Sequence, residues 1–502
     1  MFNLRGNGRT SGERCRQEGE PLFAAHGGTG GSLTPISITL LVKKPNYTGK
    51  AQIYYHDIGM YLKRKEKLAR LENYKSILSP KVELTSITPN EDGDWINKRS
   101  KIFETYIPIE PESKFNPSSK SVFTVNSRGL ETSRDNIAYN FSRFELEKNI
   151  SFLIDSYNKQ LNKFKLLANS TEKNFLFEDK DKIVWTRATK NNFFKGRKFQ
   201  YDNKNIKRGI YRPFFKQFVY LSKECNEYVN QWPRIFPTPQ SKNLVICCSG
   251  NGANTFSTII TDCIPDLHIL ESGTQCFPLY YYEDPNDYAQ RTLFDNDDND
   301  YVRRDGISDF MLERCRQEFG YKITKEDVFY YIYGLLHSKQ YRQKFSADLK
   351  KMLPRIPLLK DFWTFSKSGR ELAALHLNYE KLEPTNLAKV EMSSENYTVE
   401  KIRFPQKNKK DTIIYNPYIT ISNIPLNAYD YAVNGKSPIE WLMERYQLTN
   451  DSVSQITNNP NLWCNEQGDK KYIFNLLLRL ITLSIATMDI VNNLPDISSE
   501  LK

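Results

Sequence analysis

Ile36–Lys43, ISITLLVK, leads into Ala51–Ile58, AQIYYHDI, and then Tyr61–Leu78, YLKRKEKLARLENYKSIL. A continuous apolar run such as the first reads as a strand buried on both faces. The second reads as another strand, closed by Gly59. The third is rich in strong helix formers and sets Leu62, Leu68, Leu71 and Ile77 near one face, with Pro80 as its stop. Two strands and a helix, without preceding β–α repeats, look like the tail of a larger α/β domain.

Working outward, the texture changes from about residue 81 to residue 282. Short aromatic and β-branched runs alternate with Asn, Ser, Gly and Pro, which reads as a β-rich, loop-rich module. Its clearest strand is Asn243–Ser249, NLVICCS, followed by the Gly250-Asn251-Gly252 turn. Glu283–Phe310 carries nine Asp/Glu against three Arg. Its DNDDND run, Asp295–Asp300, lacks the Gly and distal Glu of a calcium loop and reads as a solvated linker. Beyond it, Thr324-Lys325-Glu326-Asp327 resembles a capping box ahead of Val328, Tyr331, Ile332, Leu335 and Leu336 at helical spacing. Further helices are expected at Tyr341–Leu353, from Ser366 or Ser368 to Leu377, at Pro438–Tyr446 and at Lys471–Val491, with strands in Thr412–Ile424. The reading is an α+β chain in four parts: 1–80, 81–282, an acidic linker 283–310, and a mostly helical 311–502.

At 502 residues, 39% hydrophobic and 26% charged, the composition is that of a globular protein of two or three domains. The net charge of +12 favours a polyanionic partner, because neutralising phosphates releases their counterions. Eight cysteines and five histidines are scattered without the clustering of a structural zinc site, and unpaired cysteines fit a reducing cytosol. The N-terminal twenty residues have no apolar signal core. Phe474–Val491 is interrupted by Asn475, Arg479 and Asp489 and reads as a buried helix, not a membrane span. The expected location is the cytoplasm, with no membrane contact.

Chemistry-bearing motifs are few. Gly27–Gly31, GGTGG, precedes a strand instead of following one, and Ser249–Thr255, SGNGANT, lacks the Lys of a phosphate loop. His56 and Asp57 are adjacent on a strand and point to opposite faces, so they form no dyad. No nucleophile elbow or paired-carboxylate motif stands out, and no metal site is expected.

The strongest signal is residues 181–220, with eleven Lys/Arg, two Asp and ten interleaved aromatics. The cations, from Lys182 to Lys216, could track a phosphate backbone, with Arg187, Arg197, Lys198, Arg212 and Lys216 as the named candidates. The aromatics could equally be the core beneath a plain solvated face. Asn126–Ser142, NSRGLETSRDNIAYNFS, adds Arg128 and Arg134, suited to reading guanine, to holding a phosphate or equally to a buried ion pair.

Several stretches together resemble the type ISP restriction–modification family. They are FNLRGNGRTSGERCRQEG (Phe2–Gly19), GGSLTPISITLLVKK (Gly30–Lys44), YYHDIGMYLKRKEKL, PNEDGDWINKR (Pro89–Arg99) and SRGLETSRDNIAYNFS. IYRPFFKQFVYL (Ile210–Leu221), ITDCIPDLH (Ile260–His268), TQCFPLYYYE (Thr274–Glu283) and YAVNGKSPIEWLMERYQ (Tyr431–Gln447) continue it. Members carry nuclease, translocating ATPase, coupler, adenine methyltransferase and target-recognition domain in one polypeptide.

The resemblance implies that residues 1–80 are the C-terminal piece of a Rossmann-like methyltransferase sheet, followed by the target-recognition domain. It implies double-stranded DNA as partner, with the target adenine flipped into the methyltransferase pocket. It implies S-adenosylmethionine, ATP and Mg for the full-length family, and none of them in this chain. The family's Gly-containing cofactor loop and Asn-Pro-Pro-Tyr/Phe tetrapeptide do not occur; Asn416-Pro417-Tyr418 lacks the second Pro and comes late. Met1 is therefore expected to fall inside a domain, as in a truncated or split gene. The upstream methyltransferase, translocase and nuclease region would act in cis or in trans. Arg212 lies in Tyr-Arg-Pro-Phe, which recurs whatever the target site and so suits a structural or phosphate role. Two other readings stay open: a methyltransferase subunit active only when completed in trans, and a general single-strand or RNA binder.

Overall fold

The computed structural model describes residues 1–8, 12–24, 31–166, 177, 183–238, 240–284, 301–406, 409–452 and 454–501. Lys182, most of GGTGG and the DNDDND run lie outside the described residues.

The N-terminal unit is a small sheet of four strands in the order Ser37–Ile38, Phe2–Asn3, Ile53–Asp57, Thr85–Ile87. Phe2–Asn3 runs parallel to Ile53–Asp57, and the other pairings are antiparallel. Helix Arg64–Tyr74 covers it, over a small core that among the described residues holds Phe2, Leu4, Leu22, Ile58 and Val82. The helix is shorter than its sequence reading because Lys75 turns into the left-handed region, at φ 57°. The expected buried strand Ile36–Lys43 is not formed. Only Ser37–Ile38 pairs, and Leu40, Leu41 and Val42 face solvent, Leu41 at 89% exposure. Apolarity demanded a dry neighbour, and no described residue supplies one.

The larger body holds two four-stranded sheets. One has the order Ile264–Pro265, Ile206–Arg212, Phe215–Tyr220, Tyr139–Asn140; the other is Thr258–Thr261, Val245–Cys248, Gln275–Pro278, Ser127–Arg128. Val245–Cys248 is central in its sheet and buried on both faces, as the apolar run NLVICCS requires. A 24-residue helix, Arg143–Leu166, runs through the region read as β-rich. It buries Leu146, Ile150, Leu153, Ile154, Tyr157 and Leu161, an i, i+4, i+7 stripe that its many polar residues masked.

Helices Asp309–Phe319, Lys325–Leu335 and Phe362–Leu377 pack on the second sheet, sharing a core with Ile246, Cys248, Ile260 and Phe277. The capping box forms: Thr324 Oγ1 accepts from Asp327 N at 3.2 Å, and the Asp327 carboxylate accepts from Thr324 N at 3.0 Å. Helix Phe362–Leu377 begins earlier than Ser366, since Phe362 and Phe365 seat its first turn in the core. The first sheet packs against Pro438–Arg445 and Tyr472–Asn492. Tyr472–Asn492 is long and apolar enough to cross a bilayer by composition, yet Ile473, Leu476, Leu477, Leu480, Ile481 and Leu483 are buried inside the protein.

Candidate nucleic-acid interface

The basic segment is assembled on helix Arg143–Leu166. Tyr157 stacks on Phe199 with ring centroids 3.8 Å apart, and Trp185 and Phe193 close round it. Phe193 and Phe199 are buried, so these aromatics are the core beneath the charged surface. The Tyr157 hydroxyl donates to Arg197 O at 2.9 Å. Asn158 brackets Phe199, donating to its carbonyl at 2.8 Å and accepting from its N–H at 3.0 Å. Lys165 Nζ donates to Gly196 O at 3.2 Å. The backbone of 196–199 is thus pinned at several points, while the Lys195, Arg197 and Lys198 side chains stay exposed. Fixed backbone under exposed cations suits a phosphate surface, because contacts form without ordering a loop.

Helix Arg187–Phe194 starts at Thr186, whose hydroxyl accepts from Thr189 N at 3.2 Å. Arg187 projects from the first turn at 68% side-chain exposure, paired with Glu227 at 3.3 Å and bonded to the Tyr228 hydroxyl. Arg134 lies beneath this helix. It is 4% exposed and donates to Val184 O at 3.0 Å, Thr186 Oγ1 at 3.3 Å and Thr189 Oγ1. Burial lowers its guanidinium to about 10, with the Cys225 and Glu227 charges opposing the fall. It organises the Arg187 helix from below through Nη2, while its Nε and Nη1 are buried without a hydrogen-bond partner among the described residues and the residue lines a neighbouring cleft.

Arg212 and Lys216 are likewise held inside. Arg212 Nη1 meets Asp266 Oδ1 at 2.6 Å, with the guanidinium 4.0 Å from the Tyr211 ring centre. Asp266 is 2% exposed; burial lifts its carboxyl to about 6, with the Arg212 charge opposing the rise. Lys216 reaches Glu380 at 3.2 Å and Asp262 at 3.6 Å, with its side chain 11% exposed. Arg212 and Lys216, expected along a DNA backbone, are held inside by carboxylates, and Arg134, expected to read a base or form a buried ion pair, lies buried beneath helix Arg187–Phe194. The charges of Arg212 and Lys216 are committed to partners far away in sequence, which no local pattern discloses.

Arg128 is the exposed member of its pair. It sits on the edge strand Ser127–Arg128, its guanidinium lying over Gly273, where an added Cβ would come within 2.6 Å of Nη2. Gly273 has φ +77°, so both its conformation and this close approach favour glycine. Arg128 lines a cavity of about 330 Å³ with Lys114, Asn126 and Gln275. A larger cleft of about 500 Å³ lies nearby, lined by Glu131, Asp135, Tyr211, His268 and Asp451. Mixed donors and acceptors of this kind match base edges better than phosphate alone.

Two motifs that resemble parts of a cofactor site are committed to other partners among the described residues. In the SGNGANT turn, Gly250 N donates to Glu271 O at 2.9 Å, Gly252 N to Lys350 O at 2.7 Å and Asn254 N to Glu271 Oε2 at 3.0 Å. Those amides are taken and cradle no phosphate. Asn416 is equally committed: its amide nitrogen donates to Asn396 O and Thr398 O, and its oxygen accepts from Tyr418 N and Ile419 N. It shapes the hairpin between Ile413–Asn416 and Ile419–Ser422. Among the described residues no group of three His, Cys, Asp or Glu is placed to hold a metal ion.

The family model described as the type ISP C-terminal specificity domain matches residues 121–476. Among solved structures, a nuclease-deletion mutant of the type ISP restriction–modification enzyme LlaGI, in complex with a DNA substrate mimic, is 36% identical with a TM-score of 0.84. That match covers 99% of this chain and 43% of the deletion mutant's. The ATP-dependent type ISP enzyme LlaBIII bound to DNA gives 36% identity and a TM-score of 0.84 over 99% of this chain and 30% of that one. The DrdV–DNA complex matches at 25% identity and a TM-score of 0.79, over 98% of this chain and 47% of that one. The chain therefore spans less than half the length of these relatives. Among curated proteins none matches it.

Proposed function

Because the chain belongs to the family of type ISP C-terminal specificity domains, we propose that it is the duplex-DNA recognition module of such a restriction–modification enzyme. The observation that carries this reading is the row of exposed cations, Arg187, Lys195, Arg197 and Lys198, set on backbone pinned by an aromatic core. These side chains supply sequence-independent attraction to phosphates. Arg128, exposed beside the mixed-polarity cleft, would read a base edge in this reading. Methyl transfer and ATP-driven translocation belong, in this reading, to a polypeptide carrying the cofactor loop and the Asn-Pro-Pro-Tyr/Phe tetrapeptide. S-adenosylmethionine, ATP and Mg would bind there. The exposed run Leu40-Leu41-Val42, at the open edge of the N-terminal sheet, is the surface on which that polypeptide would pack, joined in cis or supplied in trans.

Competition distinguishes the reading from a general nucleic-acid binder. The purified chain should bind labelled duplex, and excess unlabelled single strand should displace it at least tenfold less effectively than unlabelled duplex. Equal competition by single strands, mediated by base stacking, would replace this reading with the single-strand one.

A further inference from the structure

We propose that the cavity lined by Arg143, Lys207 and Arg208 is a seat for a phosphate oxyanion, with a DNA phosphodiester as the expected source. The choice of source rests on the DNA-binding reading; the seat itself does not. The cavity, about 260 Å³, opens at the start of strand Ile206–Arg212, and Thr238, Ser241 and Asp262 complete its polar wall. Three cations face one carboxylate, and that carboxylate, Asp262, is shared with Lys216 at 3.6 Å.

Each cation has unmet capacity. The Arg208 guanidinium is fixed in orientation between rings, 4.4 Å from Trp463 and 5.5 Å from Phe218. Its nearest carboxylate, Glu380, stands at 4.0 Å and is engaged more closely by Lys216 at 3.2 Å and by the Tyr472 hydroxyl at 2.5 Å. Arg208 Nη1 is buried with no hydrogen-bond partner. Lys207 makes no ion pair among the described residues, and burial pulls its ammonium below the usual range, with the Asp202 charge opposing. Arg143 is exposed at the rim. The Thr238 and Ser241 hydroxyls bond one another at 2.9 Å, and either could turn a proton toward an incoming oxygen. Half-buried cations with unmet donors are costly, and the two anionic oxygens of a phosphodiester offset that cost by accepting charge-assisted hydrogen bonds.

The test has two arms. In the first, duplex binding is titrated with salt for wild type, Lys207→Gln and, should that variant fold poorly, Arg143→Gln. Either change should lower the slope of log affinity against log salt by about 0.9. In the second, reductive methylation of Lys207 is followed by mass spectrometry with and without millimolar inorganic phosphate, with exposed Lys401 as the internal reference. Phosphate should slow Lys207 several-fold and leave Lys401 unchanged. Protection by phosphate with an unchanged DNA slope supports the seat and assigns it to free phosphate or a nucleotide. Loss of all duplex binding by wild type would defeat the DNA reading, and the phosphate arm would still decide the seat. Absence of protection together with an unchanged slope overturns the proposal.

Discussion

Arg212→Ala is expected to cost about 3–5 kcal/mol of stability at pH 7, because it leaves the buried Asp266 carboxylate without its counter-charge. The loss should depend on pH with a definite sign. Asp266 titrates in the folded protein near 6, above its range in an unfolded chain, because burial penalises the charged form. A carboxyl raised on folding stabilises the native state while protonated, and that contribution is lost as pH rises through the folded value. Without Arg212 the folded value moves higher still, so the deficit should be smaller at pH 5 than at pH 7. Urea midpoints of wild type and variant at the two pH values measure this. A deficit that is equal at both, or below about 1 kcal/mol, would mean that Asp266 is not the group left uncompensated. Asp266→Asn in the Arg212→Ala background should recover part of the loss at pH 7, since it removes the stranded charge.

Gly369→Leu should be comparably damaging. Helices Lys325–Leu335 and Phe362–Leu377 cross at Gly334 and Gly369. A Cβ at Gly369 would overlap the Tyr330 carbonyl oxygen, and one at Gly334 would overlap the Phe365 carbonyl oxygen. Both obstacles are helix backbone, which cannot move aside as a side chain can. Overpacking usually costs 1–3 kcal/mol, and a backbone clash places this change at about 3 kcal/mol or more. The measurement is the shift in urea midpoint, with Gly468→Ala as a comparison where an added Cβ meets nothing within 4 Å. Gly468 has φ +67°, so its substitution reports backbone strain without a clash. A smaller shift at Gly369 than at Gly468 would contradict the close crossing.

What could be read in the sequence follows from how local each signal is. The Thr324–Asp327 capping box, helix Tyr472–Asn492 and strand Val245–Cys248 depend on neighbours within a few residues, and all three are found. Ile36–Lys43 misled because an apolar run looks the same whether it lies inside a sheet or waits for a partner surface. Helix Arg143–Leu166 had a legible buried stripe, obscured by Asn, Lys and Ser on its outer face. At the candidate interface, the charge density of residues 181–220 was visible, but not which cations remain free. Arg212 finds Asp266 at a separation of 54 residues, and Lys216 finds Glu380 at 164. Such pairings exist only once the fold is made. Arg197 and Lys198 differ from them in packing alone, since the same segment supplies both sets.

That difference gives the most direct test of the central claim. Duplex affinity of wild type and the Arg197→Ala/Lys198→Ala double variant should be titrated against salt, on several unrelated sequences. Both side chains are exposed, and the backbone beneath them is held by Tyr157 and Asn158, so the fold should survive the change. The predicted result is weaker binding to every sequence, with the salt slope lowered by about 1.8, or roughly 0.9 for each lost phosphate contact. Unchanged affinity and slope on all sequences would contradict the account and leave this row of cations a solvated face.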